Sequence, residues 1–299
     1  MKNLSQFINE KLKISKNKRY IYKPESLEEL KKLIKEKVEH NKSNILDLTD
    51  IDVSNLNSLE NMTVYTYLDV VNNKTDIDTI DVSGWDVSNI KNFKRVFCSR
   101  LGNRINTIVG LDDWDVSNGE SFREFFSSCW NLTKFDGIEN FNFGKNCNDI
   151  SYFFASCQSI TNIDLSGWDV SNIEWMPGLF FECTGLEKFS FKNWKTSNIF
   201  SMVSMFKNCY SLKEIIDTDD LDMTTCTDIN GMFYDCKNLK SIEGIENWNT
   251  KKLNSIEHTF EGCANLKCDL SNWILKPRIL KKHAFTGTSR KLFIKPNYI

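Results

Sequence analysis

The apolar positions of this chain repeat. A bulky apolar residue stands at Trp85, Trp114, Phe141, Trp168, Trp194, Leu221, Trp248 and Trp273, in steps of 25 to 29 residues. Twelve or thirteen positions after each comes a phenylalanine: Phe97, Phe126, Phe154, Phe180, Phe206, Phe233, Phe260 and Phe285. A fixed period of this length marks a stack of short supersecondary units, each too small to bury its own apolar face. Such a stack excludes a fold built around one deep catalytic pocket.

The unit WKTSNIFSMVSMFKNCYSLKEIIDTDD (194–220) shows the register. Ile199, Met202, Met205 and Phe206 lie at offsets that share one face of a helical turn or two, so the run predicts a short helix. Ser197 precedes it, with Ser88, Ser117 and Ser171 in the same slot, where a hydroxyl can accept from an unpaired amide. After the cysteine, Leu212 and Ile215 predict a short buried strand, followed by Asp, Asn and Gly turn chemistry. The unit therefore reads as strand, turn and short helix.

The ends depart from the repeat. Pro24 at a first-turn position, early glutamates and later lysines predict a helix over 24–40. Its stripe of Leu27, Leu30, Leu33, Ile34 and Val38 is expected to cover the exposed core at the start of the stack. Residues 45–55 form a degenerate first unit, and 56–84 diverge most, around YTYLDVVNNKTD. Residues 1–14 set Leu4, Phe7, Ile8 and Leu12 on one helical face, joined by a basic stretch, 13–23, that reads as a linker or an extended strand. With a separate helix serving as cap, this peptide is a candidate for docking on a partner.

The segments WDVSNI (85–90 and 168–173), MF-x-x-C-x-x-L (205–212 and 232–239) and GIENWNT (244–250) resemble the BspA-like leucine-rich repeats, also called Mycoplasma-lipoprotein-type repeats. The resemblance spans roughly 45–288. It implies an α/β fold: a leucine-rich-repeat-like solenoid of short strands and short helical turns with an N-terminal capping helix. The expected division is 1–23 peptide and linker, 24–44 capping helix, 45–288 repeats and 289–299 tail. The family it resembles consists mostly of uncharacterised binding and surface proteins. Members at a cell surface carry an export signal. The opening MKNLSQFINEKLKI lacks the apolar core of one, so the cytoplasm or a virion is the expected location. That opening is also similar to those of proteins of phages of gut bacteria.

Charge changes the picture at the ends. The net charge is −2, yet residues 274–299 carry 7 basic and no acidic residues, and 51–273 stand near −13. The basic tail fits the charged outer face of a terminal cap, and the acidic body makes nucleic acid an unlikely partner. No stretch approaches a membrane span. Cys129, Cys157, Cys183, Cys209, Cys236 and Cys263 share one slot and read as a core ladder of small apolar side chains. Disulfides between neighbours are the rival reading and need an oxidising compartment. Zinc is disfavoured without a C-x-x-C pair. The abundance of asparagine reads as genome composition.

No catalytic constellation, cofactor motif or metal motif is evident. His40, His258 and His283 lie far apart in sequence, and His258 reads as a surface or packing residue. Two acidic series recur. Asp86, Asp115, Asp169 and Asp222 follow the anchor, where Asp can bond turn amides. Asp136, Asp164, Glu243 and Asp269 follow the strand with no such local reason, which makes them candidates for a partner-binding strip. The function expected is a non-enzymatic repeat protein offering an extended surface for protein–protein interaction. Adhesion to a host surface glycan or protein, as a virion component, and an effector enzyme with an unrecognised site remain the alternatives.

Overall fold

The computed structural model describes residues 20–62, 76–98, 104–289, 293–294 and 296–298. The 1–14 peptide with Leu4, Phe7, Ile8 and Leu12, and most of the insertion at 65–76, lie outside the described residues.

Helix α1 spans Leu27–His40. It starts later than the sequence predicts because Ser26, rather than Pro24, sets its first turn. The Ser26 hydroxyl accepts the Glu29 amide at 3.2 Å, and the Glu29 carboxylate accepts the Glu25 amide at 2.8 Å. The first satisfies an amide that the helix start leaves unpaired, and the second ties the preceding residue to the first turn. Leu30, Ile34 and Val38 are fully buried in one cluster with Leu46 and Leu48, so α1 covers the first coil as its stripe requires. Lys37 pairs with Asp50 at 2.8 Å. The basic stretch ends in an extended segment whose Tyr22 bridges Ile51 in parallel.

Short parallel strands recur in the first three and the later coils, with a single bridge from Thr107 to Lys134 between them. β1 (Ile45–Asp47), β2 (Thr79–Asp81) and β3 (Thr107–Val109) form one sheet in that order. β4 (Lys188–Ser190), β5 (Glu214–Ile216) and β6 (Ser241–Ile242) form another. Each pair is in register, as Leu46↔Ile80↔Ile108 and Phe189↔Ile215↔Ile242 show. β7 (Cys268–Asp269) and β8 (Ile274–Leu275) pair in parallel with β9 (Phe293–Ile294) and β10 (Asn297–Tyr298) from the last residues. On another side of the coils, single parallel bridges link Ser58, Asn92, Ser121, Asp149, Trp175, Ser201, Asp228, Ser255 and Leu280 without a break.

The predicted short helix in each unit is not there. Among the described residues α1 is the one α-helix; the three-residue 3-10 turns Ile138–Asn140, Thr218–Asp220 and Ile245–Asn247 lie before an anchor, not after it. The run ending in phenylalanine is a succession of β-turns. In the 194–220 unit the amides of Met205, Lys207 and Cys209 bond three residues back, to Met202, Ser204 and Phe206. The alternate amides of Met202, Ser204, Phe206 and Asn208 bond to Asp228, Asn230, Met232 and Tyr234 of the next coil. An isolated helix of two turns cannot repay its nucleation cost, whereas this arrangement satisfies every second amide across the stack. Turns of three-residue closure also repeat apolar positions at offsets of three and four, which is why the sequence imitates a helix.

The turns require left-handed backbone at their third position. Ser204 and Asn208 have φ of 55° and 64°, and the same two slots recur at Glu124 and Ser128, Tyr152 and Ser156, and His258 and Gly262. Gly178 (φ 60°) is needed for a second reason: a Cβ there would come within 2.3 Å of the Tyr152 ring, which lies across it.

The core is two columns of rings. The phenylalanines stack from Phe97 to Phe285 without interruption, with centroids 5.4–6.1 Å apart and planes within 17°. The anchors stack as Trp85–Trp114, Trp114–Phe141, Trp168–Trp194 and Trp248–Trp273. Leu221 interrupts that column. The indoles of Trp85, Trp168, Trp194 and Trp273 donate to backbone carbonyls of an earlier coil, at Leu48, Ile138, Leu165 and Ile245.

Phe206→Ala should lower the unfolding free energy by about 3–5 kcal/mol, the usual range for a buried aromatic; a neutral result in urea unfolding contradicts the ring column. At the left-handed slot, Ser204→Val should cost about 1–2 kcal/mol while Ser204→Gly is tolerated or stabilising. Equal stability of the two variants would remove the turn assignment.

Candidate interaction surfaces

The W-D-V-S-N corner accounts for each of its residues. The tryptophan and valine are core, with Val87, Val116 and Val170 buried. The Asp carboxylate accepts the amide two residues on: Asp86 from Ser88 at 3.1 Å, Asp115 from Ser117 at 3.1 Å, Asp169 from Ser171 at 3.0 Å and Asp222 from Thr224 at 2.8 Å. These bonds hold Asp115 and Asp169 below the usual carboxylate range, the serine side chain first and its amide second. The serine slot is thus an amide donor to a turn, not a helix cap.

The asparagine that follows ties coils together. Asn89, Asn118 and Asn198 donate to the carbonyls of Ser54, Ser88 and Ser171 one coil back. A second series does the same after the cysteine, with Asn238 on Tyr210 and Asn265 on Lys237. Part of the asparagine content that composition alone assigns to the genome is therefore structural; its recurrence at fixed slots is the signal.

The six in-register cysteines are fully buried. Each thiol donates to the carbonyl of the phenylalanine one coil back: Cys129 to Phe97, Cys157 to Phe126, Cys183 to Phe154, Cys209 to Phe180, Cys236 to Phe206 and Cys263 to Phe233, at 2.9–3.2 Å. Burial drives the thiols of Cys157, Cys183, Cys209, Cys236 and Cys263 well above their usual value. It pushes Cys147, Cys226 and Cys268 up to about 12. Thiols held in this way are poor nucleophiles.

The four acidic candidates are all exposed, but they fall into two groups. Asp164 and Asp269 stand four residues before their anchors and accept the amides of Ser166 and Ser271 at 2.9 and 2.8 Å. The local reason missing from the sequence reading is thus a second D-x-S turn, visible in DLSGW and DLSNW. Asp136 and Glu243 stand five residues before theirs and precede the left-handed Gly137 and Gly244. Glu243 also accepts the Asp217 amide of the neighbouring coil at 3.1 Å. Beside them the strand face is neutralised by cross-coil pairs, Lys188–Glu214 at 2.7 Å and Lys213–Glu187 at 2.8 Å.

His258 and His283, distant in sequence, occupy the same slot of adjacent coils, and their rings stack at 5.3 Å. His258 Nδ1 lies 2.5 Å from Glu261 Oε2, and its ring borders a shallow depression of about 390 Å³ with Ser204, Lys207 and Tyr234. The Thr286 hydroxyl lies 3.4 Å from His283 Nδ1, and the His258 ring meets the Glu261 carboxylate rather than a hydroxyl or thiol. No group of three or more His, Cys, Asp or Glu among the described residues is placed to hold a metal ion, and no described helix is long and apolar enough to cross a membrane.

Four overlapping segments, residues 28–162, 65–188, 148–273 and 216–290, match the family described as "Mycoplasma protein of unknown function, DUF285". A leucine-rich repeat protein from Bacteroides ovatus, known from a crystal structure, is 16% identical over 75% of this chain and 82% of its own, with a TM-score of 0.21. No curated protein matches the chain.

The thiol ladder sets an alkaline limit. Unfolded thiols lose their protons above about pH 9, whereas the buried ones keep theirs, so the unfolded state gains as pH rises. Stability should fall above about pH 9 by up to about 1.4 kcal/mol per pH unit for each such thiol. Urea unfolding across that range, with thiol labelling before and after denaturation, checks both the slope and the protection. A flat profile, or rapid labelling of the native protein, contradicts the ladder.

Proposed function

The chain belongs to the DUF285 family of Mycoplasma-type repeat proteins, and on that footing we propose that it is a non-enzymatic binding protein: a continuous leucine-rich-repeat-like solenoid that presents several coils at once to a protein partner. The observation that carries this reading is the unbroken parallel stacking of one unit, which sets equivalent side chains in rows along the surface. The depressions between them are shallow and are shared by neighbouring coils, as in the one lined by Asn162, Glu187, Lys188, Lys213, Glu214 and Lys240. Recognition by shape and charge over several coils suits such a surface.

Within this reading Asp136, Asp164, Glu243 and Asp269 contribute negative charge along the strand side. The 1–14 peptide is a separate docking element on a basic tether. A ladder of buried thiols that donate to backbone carbonyls suits a reducing compartment, such as the cytoplasm, or a virion assembled there.

Deleting residues 1–14 should leave the melting temperature nearly unchanged, since α1 already covers the first coil. Affinity capture from cells that make the protein, with and without those residues, tests the function. A partner retained in stoichiometric amount by the full chain is the expected result. Capture of nothing by either form, or turnover of a small molecule traced to the purified chain, overturns the reading.

A further inference from the structure

Trp175 and Phe200 are two of the large side chains left open in the repeats, 46% and 40% exposed. They lie on adjacent coils with ring centroids 6.3 Å apart, beside the partly exposed Pro177 and Val203. Trp175 sits in the row of parallel bridges, between Asp149 and Ser201, with Asp228 one coil further. The backbone here is already committed: Trp175 donates to Asn148, Phe200 to Glu174 and Thr227 to Phe200. A partner cannot add a strand and must be held by side chains.

The short stretches that carry these rings hold only acidic charge, with Lys207 at the edge, in a depression shared with Val203, Asn230 and Glu257, and Lys276 reaching Asn254 at 2.7 Å. The stretches 148–151, 174–177, 200–203, 227–230 and 254–257 follow one another along this face, and contain Asp149, Glu174, Asp228 and Glu257 but no lysine or arginine. Burial raises the Asp228 carboxyl, and the charge of Glu257 adds to the effect, so an approaching cation would offset their mutual repulsion. On either side the pattern reverses. Residues 91–94 read KNFK and 279–282 read ILKK, and the earlier coils are neutralised by pairs such as Lys94–Glu60 and Lys91–Glu120.

We infer that this face, centred on Trp175 and Phe200, is a docking site for an extended lysine- or arginine-rich segment of a protein partner. An exposed indole with Asp149 next to it in the row and Glu174 before it in the chain fits a guanidinium or ammonium group, which the ring face and the acids both attract. The cationic flanks bound the site. Five coils at about 4.8 Å per step span roughly 20 Å, the length of about six extended residues. This inference rests on the partner-binding reading above and names the surface and the chemistry of the partner.

The test titrates the full chain with fluorescein-labelled oligo-arginine peptides and follows anisotropy. Affinity should rise with length, level off near six residues and fall with salt. Trp175→Ala with Phe200→Ala should weaken hexa-arginine binding by about tenfold or more. Asp149→Asn with Asp228→Asn should weaken it and flatten the salt dependence, because Asn keeps the turn bonds to Ser151 and Asn230. Glu36→Gln with Glu39→Gln, on α1 at the start of the stack, should change nothing. Trp175→Gln serves as the second aromatic variant if the double alanine form melts early. Unchanged affinity in the aromatic variants, an equal loss in the α1 variant, or preferential binding of a hexa-glutamate peptide or maltohexaose overturns the inference. Cellular capture that survives loss of the aromatic pair sinks this site and leaves the partner-binding reading intact; hexa-arginine binding as expected with no cellular partner does the reverse.

Discussion

Alternate amides of each coil donate forward to the next coil, while those between them close turns within their own coil. That alternation is the constraint on which the rest depends. It fixes the register between coils, so a residue type at a given slot meets the same slot above and below. Phenylalanine therefore stacks on phenylalanine, and the thiol of each ladder cysteine reaches the carbonyl of the phenylalanine one coil back. The carbonyl of Phe206 accepts both the Cys209 amide of its own coil and the Cys236 thiol of the next. Left-handed residues such as Ser204 and Asn208 are the cost of running the backbone this way.

The ring columns, the cysteine ladder and the covering helix were legible because they depend on burial, and burial imposes period. The turns were not. Their left-handed slots hold Glu124, Tyr152, Ser204 and His258 as often as glycine, so the usual marker of such backbone is missing. Their apolar spacing coincides with that of a helix. The asparagine cross-links were hidden for a different reason: a side chain that bonds the previous coil looks, along the chain, like any exposed polar residue. The acidic residues of the strand side were legible as a series but not as turns, although Asp164 and Asp269 carry the same D-x-S signal as the corner after the anchor.

The two long sides of the stack differ in how they hold charge. On the strand side, lysine and glutamate of adjacent coils pair directly, as at Lys188–Glu214. Exposed pairs of this kind add little stability, but they leave little net field. On the bridge side, Asp149, Trp175 and Asp228 share a row with no cation among them. Because equivalent slots are aligned, acidic residues of separate coils fall in the same row, as Asp149 and Asp228 do. Charge that would be scattered on a globular protein is here concentrated by geometry alone.

The same alignment makes length a free variable of the molecule. Each coil touches its two neighbours, and the ends are finished separately, by α1 before the first coil and by β9 and β10 beside the last. Duplicating or losing one unit of 26 or 27 residues in the interior, such as 194–220, replaces one coil-to-coil interface with another of the same kind and leaves both ends untouched. The stack can thus change its reach by about 4.8 Å at a time without redesign of its core, and any surface written along a row lengthens or shortens with it.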